Sequence, residues 1–376
     1  MNERLLQLKP YPMLRLSEQK AQLRAEGKRI FDFGTGDPDD PTPSFVRQAL
    51  IDAIPQSGQY ATIQGTDALR EAGAGYVRRR FGVELDPARE VLATSGSMEA
   101  IFHLPMILVD PSTGRDRVVY GVPGYRVFEI GTYYAEGRAH AVDLTAENGY
   151  LLDPDEIGED VLSETGLVFL NYPHNPTGQE LPDELFERWI AARDRHGFVL
   201  VSDEVYADIY FERPCRSLLE FGREGCLVIH SLSKRSSMTG YQTGLFTGDA
   251  DLIATLRHFR ASMGLSSPVW TQAAATAAWL DDDHVDDKRA LLEAKRHVML
   301  ELFQARGLQV YPGTSTLYLW VEVPEGFTDT SYAERLIELG IVVSPGSNFG
   351  PNQERFFRVA LAPDVTECRE AAALWP

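Results

Sequence analysis

An amine, a carboxylate, an amide and several hydroxyls each follow a short apolar run in this chain. Leu227-Val228-Ile229 leads to Ser231-Leu232-Ser233-Lys234, and Phe198-Val199-Leu200-Val201 leads to Asp203 and Tyr206. Gly166 to Leu170 leads to a loop holding Asn175, and Val91-Leu92-Ala93-Thr94 leads to Ser95-Gly96-Ser97-Met98. A lysine amine can attack a carbonyl, and the hydroxyls beside it can hydrogen-bond an anion. A strand, a glycine turn and a helix start make a second anion site, because the first backbone N–H groups are unpaired and the helix dipole favours negative charge. Taken one at a time these fragments have plain structural readings. Most Ser-Lys pairs are loop surface, and an Asp after a strand usually begins a turn or caps a helix.

Apolar runs of about four to eight residues bounded by turn residues suit buried strands of a parallel sheet. Helical patterns alternate with them. Leu181 to His196 carries Leu185, Trp189 and Ala192 at helical spacing and stops at Gly197. Further helices are expected over Leu14 to Gly27, Ser44 to Ile54 with Ser44 as a cap, and Ala68 to Phe81. Later ones span Asp251 to Met263, Pro268 to Leu280, His284 to Gly307 and Ser331 to Leu339. Other strands are Ile30 to Phe33, Arg117 to Tyr120, Gly244 to Gly248, Tyr318 to Val323, Ile341 to Val343 and Phe356 to Leu361. The acidic Asp281-Asp282-Asp283 reads as a solvated corner. This is an α/β chain with a mostly parallel sheet between helices, followed by a smaller α+β part. The division expected is an N-terminal segment over 1–40 joining the small domain, a large domain over 41–275 and a small one over 276–376.

In a mostly parallel sheet, strand carboxyl ends share one edge, where open α/β sheets bind ligands. Ser97, Asn175, Asp203 and Lys234 would therefore meet, a far more specific signal than any one motif. A dinucleotide-binding domain is the other doubly wound reading, but no Gly-x-Gly-x-x-Gly directly follows a strand.

Lys and Arg number 36 against 55 Asp and Glu, a net charge of −19, which disfavours nucleic acid and anionic membrane as partners. Three cysteines without a Cys-x-x-Cys pair fit a reduced, cytoplasmic protein. The N-terminus shows no signal-peptide pattern, and no apolar run is long enough to span a bilayer. The eight histidines show no metal spacing, so no metal is expected.

The Ser-x-Ser-Lys run with its Gly-rich sequel, Asn175-Pro176-Thr177-Gly178, Asp203-Glu204-Val205-Tyr206 and Gly36-Asp37-Pro38-Asp39 together resemble the class I aminotransferases of fold type I, in the right order and over nearly the whole chain. That resemblance implies pyridoxal 5'-phosphate (PLP) as cofactor, a Schiff-base ping-pong transfer of an amino group to 2-oxoglutarate, amino-acid and oxo-acid substrates, and a homodimer. It implies that Lys234 holds the cofactor, Asp203 pairs with its ring nitrogen, Asn175 and Tyr206 meet its phenolic oxygen, and Tyr125 lies against its ring. Ser97, Met98, Ser231, Ser233 and Tyr60, the last reaching across the dimer, would serve the phosphate. Gly36, Asn175 and Arg358 would meet the substrate, with Arg358 on the α-carboxylate. The family commonly has arginine where Gln242 stands; Arg235 is a candidate to supply the missing charge. Runs such as Ser231-Leu232-Ser233-Lys234-Arg235-Ser236 and Tyr318-Leu319-Trp320 further resemble the N-succinyl-diaminopimelate aminotransferases of lysine biosynthesis. Another amino-acid aminotransferase, aspartate-like or LL-diaminopimelate, stays open, as does a PLP lyase or cyclase.

Overall fold

The computed structural model describes residues 12–376; residues 5–11 of the expected N-terminal arm lie outside them. In chain order the strands are β1 (Phe31–Asp32), β2 (Val91–Thr94), β3 (Arg117–Val122), β4 (Arg138–Asp143), β5 (Thr165–Leu170) and β6 (Val199–Asp203). They continue with β7 (Cys226–Ser231), β8 (Gly244–Gly248), β9 (Tyr318–Glu322), β10 (Ile341–Val342), β11 (Ser344–Pro345) and β12 (Phe356–Ala360). Seven form one sheet in the order β2-β8-β7-β6-β5-β3-β4, in which only β8 runs against its neighbours. A smaller antiparallel sheet has the order β11-β12-β9, and β1 pairs in parallel with β10.

Successive strand residues face opposite sides of a sheet, and the core divides accordingly. Leu92, Val118, Val201, Leu227 and Ile229 pack on one side with Ile101, Leu104, Ile253 and Leu256 from the helices Ser97–Leu108 and Ala250–Met263. Val91, Val119, Leu200, Val228 and Leu245 pack on the other with Leu69, Trp189 and Trp279 from the helices Asp67–Phe81, Asp183–His196 and Val269–Leu280. Covered on both faces, β6 and β7 need apolar residues almost throughout, which is why they stand out as unbroken runs.

Four local expectations need correction. β4 pairs with β3 at the sheet edge, with Arg117 opposite Arg138, yet carries no apolar run because much of it faces solvent. The helix Val365–Leu374 was not anticipated, although Asp364 and Glu367 form a capping box at its start. Ser44 is the first residue of its helix, Pro43 holds the cap position, and no side chain caps that end. The acidic corner is not simply solvated: Asp282 accepts from Arg79 Nε at 2.9 Å and from buried Arg235 at 2.6 Å.

The helix that opens at Ser97 is fixed by a buried ion pair. Arg260, 1% exposed, donates to both oxygens of Glu99 at 2.8 and 2.7 Å, and Glu99 also accepts from the Ser95 amide at 2.7 Å. Burial alone would raise the Glu99 carboxyl, but the bonds from His103, Arg260 and Ser95 outweigh it and hold the pKa down to about 2. Such a group contributes stability above its ordinary value of 4.5 that is lost as pH falls toward the folded value. Arg260→Met strands the carboxylate and is expected to cost about 3–5 kcal/mol in urea unfolding at pH 7. The gap from wild type should narrow as pH is lowered below about 5, because the stranded carboxyl then protonates.

Candidate active site

The strand order lays chemical groups in a line along one sheet edge. Ser97 follows β2, Gln242 precedes the antiparallel β8, and Ser231, Ser233 and Lys234 end or follow β7. Asp203 and Tyr206 come at and after the end of β6, Asn175 after β5, and Tyr125 after β3. These groups line a cavity of about 340 Å³, together with Met98, with Gly36 from the loop after β1, and with Arg358 from β12. Tyr60 alone of the expected site residues does not join them; its side chain is fully exposed on a loop.

Lys234 sits in a single helical turn, Leu232–Arg235, capped by Ser231, whose Oγ accepts from the Ser233 amide at 3.1 Å. Lys234 Nζ donates to the Gly36 carbonyl at 2.5 Å. Gly36 has no space for a side chain, since a Cβ there would lie 2.2 Å from the Tyr318 hydroxyl. Gly96, at φ +87°, caps the helix after β2, and a Cβ on it would come within 2.9 Å of Gln242 Oε1. Both glycines bring bare backbone to the cavity wall.

Asp203 is buried. Its Oδ2 accepts from Asn171 Nδ2 at 3.1 Å, whereas Oδ1 has no hydrogen-bond partner. Burial pushes this carboxyl up to about 7. Tyr206 Oη lies 3.1 Å from Tyr318 Oη, and burial raises the Tyr206 hydroxyl well above its ordinary value. Arg358, 4% exposed, donates through Nη1 to Asn175 Oδ1 at 2.9 Å and through Nη2 to the Gly34 carbonyl at 3.1 Å. Its guanidinium lies 4.1 Å from the Tyr318 ring centre and 4.7 Å from that of Phe349, while Nε is unpartnered. Asn175 accepts through its oxygen, so its amide N–H groups remain for a ligand.

Among the lining residues that sequence reasoning missed are Asn171, Tyr318 and Arg126. Asn171, first after β5, occupies the same kind of strand-end position as Asp203 and was legible on that ground. Tyr318 opens β9, and its role depends on contacts across the fold that no local pattern signals. Arg126, beside Tyr125, brings a further guanidinium to the cavity, with Glu129 at 3.4 Å. Arg235 does not supply charge to the ligand: it is buried against Asp208, Asp282 and the Ala278 carbonyl. His174 is likewise a packing residue, bonded to Thr177 and the Pro123 carbonyl, its pKa lowered by burial to about 4. Among the described residues no cluster of His, Cys, Asp and Glu suits a metal ion, and no helix is long and apolar enough to cross a membrane.

A doubly wound sheet with a lysine, a buried carboxylate and a phosphate-sized backbone turn on one edge defines a fold type I architecture. The family model for aminotransferases of class I and II matches residues 28–373, and the chain belongs to that family. It is 34% identical to an LL-diaminopimelate aminotransferase of Nitratidesulfovibrio vulgaris, covering 99% of this chain and 97% of the relative. The same identity and coverage hold for an LL-diaminopimelate aminotransferase of Aquifex aeolicus. Aspartate aminotransferase of Thermus thermophilus superposes with a TM-score of 0.91 at 27% identity, over 100% of this chain and 98% of that one. The protein is thus a PLP-dependent transaminase. The donor set fits that cofactor: the unpartnered Asp203 oxygen suits a protonated ring nitrogen, and the Gly96 turn suits a phosphate.

The raised Asp203 pKa sets a stability test on cofactor-free protein. An acid raised by burial costs nothing below its unfolded value, costs progressively more as pH climbs from there toward 7, and carries the full penalty above. Asp203→Asn removes the ionisable group at the same size. Without PLP the variant is expected to melt higher than wild type near pH 8, and the two melting curves should converge near pH 4. Equal melting temperatures at both pH values would show that Asp203 carries no such penalty.

Proposed function

We propose that this transaminase takes its amino group from a dicarboxylic α-amino acid of the LL-diaminopimelate type and passes it to 2-oxoglutarate. The observation that carries the donor is the near full-length similarity to relatives bearing that name. It favours LL-diaminopimelate over the N-succinylated donor expected from local runs. Two guanidiniums in one cavity, Arg358 and Arg126, agree with a substrate that has two acidic ends.

Bound PLP supplies the electron sink that makes the substrate Cα–H acidic. The rest falls to the chain. Lys234, oriented by the Gly36 carbonyl, carries the cofactor and, once freed, moves the proton at Cα. Asp203 Oδ1 holds the ring nitrogen protonated, which gives that buried oxygen its missing partner. Tyr206 and the Asn175 amide would donate to the cofactor's phenolic oxygen, and Tyr125, which lines the same cavity, would help hold the ring. Ser97, the Met98 backbone, Ser231 and Ser233 hold the phosphate by hydrogen bonds. Gln242 contributes no charge there, and Arg235 is committed elsewhere. Arg358 is oriented by Asn175, Gly34 and two rings to grip the α-carboxylate. Tyr60 is fully exposed and does not line its own subunit's cavity, which agrees with a role at a second subunit's phosphate.

The donor assignment is tested by a screen with 2-oxoglutarate as acceptor. LL-diaminopimelate should give a kcat/KM well above N-succinyl-LL-diaminopimelate and aspartate; the reverse order would overturn it. Arg358→Ala should raise KM for donor and acceptor alike by roughly ten- to a hundredfold, the loss of a charge-assisted contact of about 1.5–3 kcal/mol. An effect on one partner only would move Arg358 to the distal group.

A further inference from the structure

The cofactor lysine sits on a helix too short to hold it. Leu232–Arg235 has four residues, less than an isolated helix needs for stability. Ser237, three residues after Lys234, has φ +51°, a conformation a serine rarely adopts without outside support. Each of the three residues after Lys234 is gripped by a side chain or carbonyl from the stretch between Ala278 and Lys288.

Arg235, 3% exposed, donates to the Ala278 carbonyl at 2.8 Å, the Asp281 carbonyl at 3.1 Å and Asp282 Oδ1 at 2.6 Å, besides its bond to Asp208 at 2.8 Å. Its guanidinium lies 5.1 Å from the ring centre of Tyr76 and 5.3 Å from that of Trp279. Ser236 Oγ lies 2.8 Å from His284 Nε2, and His284 Nδ1 lies 2.6 Å from Asp281 Oδ1. Ser237 Oγ accepts from Lys288 Nζ, and its carbonyl accepts from Thr42 Oγ1 at 2.5 Å. His284 and Lys288 are four apart on the helix Asp283–Ala305 and so share a face.

We propose that the corner joining the helices Val269–Leu280 and Asp283–Ala305, with His284 and Lys288 on the first turns of the latter, is a positioning device for Lys234. The proposal rests on the reading of Lys234 as the cofactor lysine. The Ser236–His284–Asp281 chain has the order of a nucleophile triad, but Ser236 is 1% exposed and lines no cavity described above, so it holds rather than attacks. None of Asp281, Asp282, His284 and Lys288 lines the active-site cavity. The corner acts through Arg235, Ser236 and Ser237, which fix where the lysine's turn ends. A small displacement of a catalytic group is enough to lower the rate of the chemical step.

The test uses holoenzyme and a pair of variants. Asparagine at 284 can imitate Nδ1 and keep Asp281 but not reach Ser236; glutamine can imitate Nε2 and keep Ser236. His284→Asn is expected to lower kcat on the order of tenfold and to move the pH midpoint of the bound cofactor's absorption by about 0.5 unit or more. KM for the amino donor, set by the cavity groups, should change less than about twofold. His284→Gln should restore kcat and midpoint. Wild-type values in His284→Asn, or equal impairment of both variants, would overturn the proposal. If His284→Asn does not fold, Lys288→Met is expected to give the same kcat loss and midpoint shift, and wild-type values there would overturn it equally. Borohydride reduction of wild-type holoenzyme with peptide mapping keeps the two readings apart. A label on a different lysine removes the cofactor assignment, whereas a label on Lys234 with unshifted variants removes only the positioning role.

Discussion

A carboxylate buried at the end of a central strand, with one oxygen unpartnered, is an unstable arrangement unless something cationic meets it. Asp203 is in that position: the backbone at Val205 and the Asn171 amide offset only part of the cost of burial, and Oδ1 has no partner. Its neighbours β5 and β7 are buried and parallel, so their carboxyl ends open on the same cavity. Asn171 can satisfy one oxygen only. The penalty is of the kind stored at functional sites, and under the proposed site a protonated pyridine ring would remove it. The proposed site would therefore link cofactor binding and the stability of the sheet's centre through one oxygen atom.

Orientation around that atom comes from groups that are themselves held. Arg358 is fixed by two hydrogen bonds and two ring faces, so its fork is set before a carboxylate arrives. Tyr318 connects three of these elements: its ring lies under Arg358, its hydroxyl meets Tyr206, and it leaves room only for glycine at position 36. Gly36 in turn accepts from Lys234. A change of shape at Tyr318 would thus reach the lysine, the tyrosine and the arginine together.

The parts legible in the sequence were those where burial forces a local pattern. Strands covered on both faces read as apolar runs, and the residues just past them share an edge by topology, so Ser97, Asn175, Asp203 and Lys234 could be grouped without coordinates. β4 was invisible because an edge strand facing water has no such run. Tyr318 and the partners of Arg235 were invisible for a different reason: their roles depend on contacts between segments far apart in sequence. The acidic corner shows how composition misleads here. Three consecutive aspartates suggest solvent, yet Asp281 and Asp282 face a histidine and a buried guanidinium that also pairs with Asp208.

The net charge of −19 bears on how the proposed dicarboxylic substrate would be captured. A surface with that balance does not steer dicarboxylates inward, and at physiological salt its reach is cut to about 8 Å. Attraction must come from the cavity itself, where Lys234, Arg126 and Arg358 stand against Asp203 and Asp37. Low-dielectric walls strengthen those few cations relative to charges in water. Arg358 is buried and pre-oriented, so its contact with a carboxylate is screened little by salt, whereas the many surface acids are screened heavily. The proposed selectivity for a dicarboxylic amino acid is thereby compatible with an acidic protein, because the two sets of charges act in different dielectric environments.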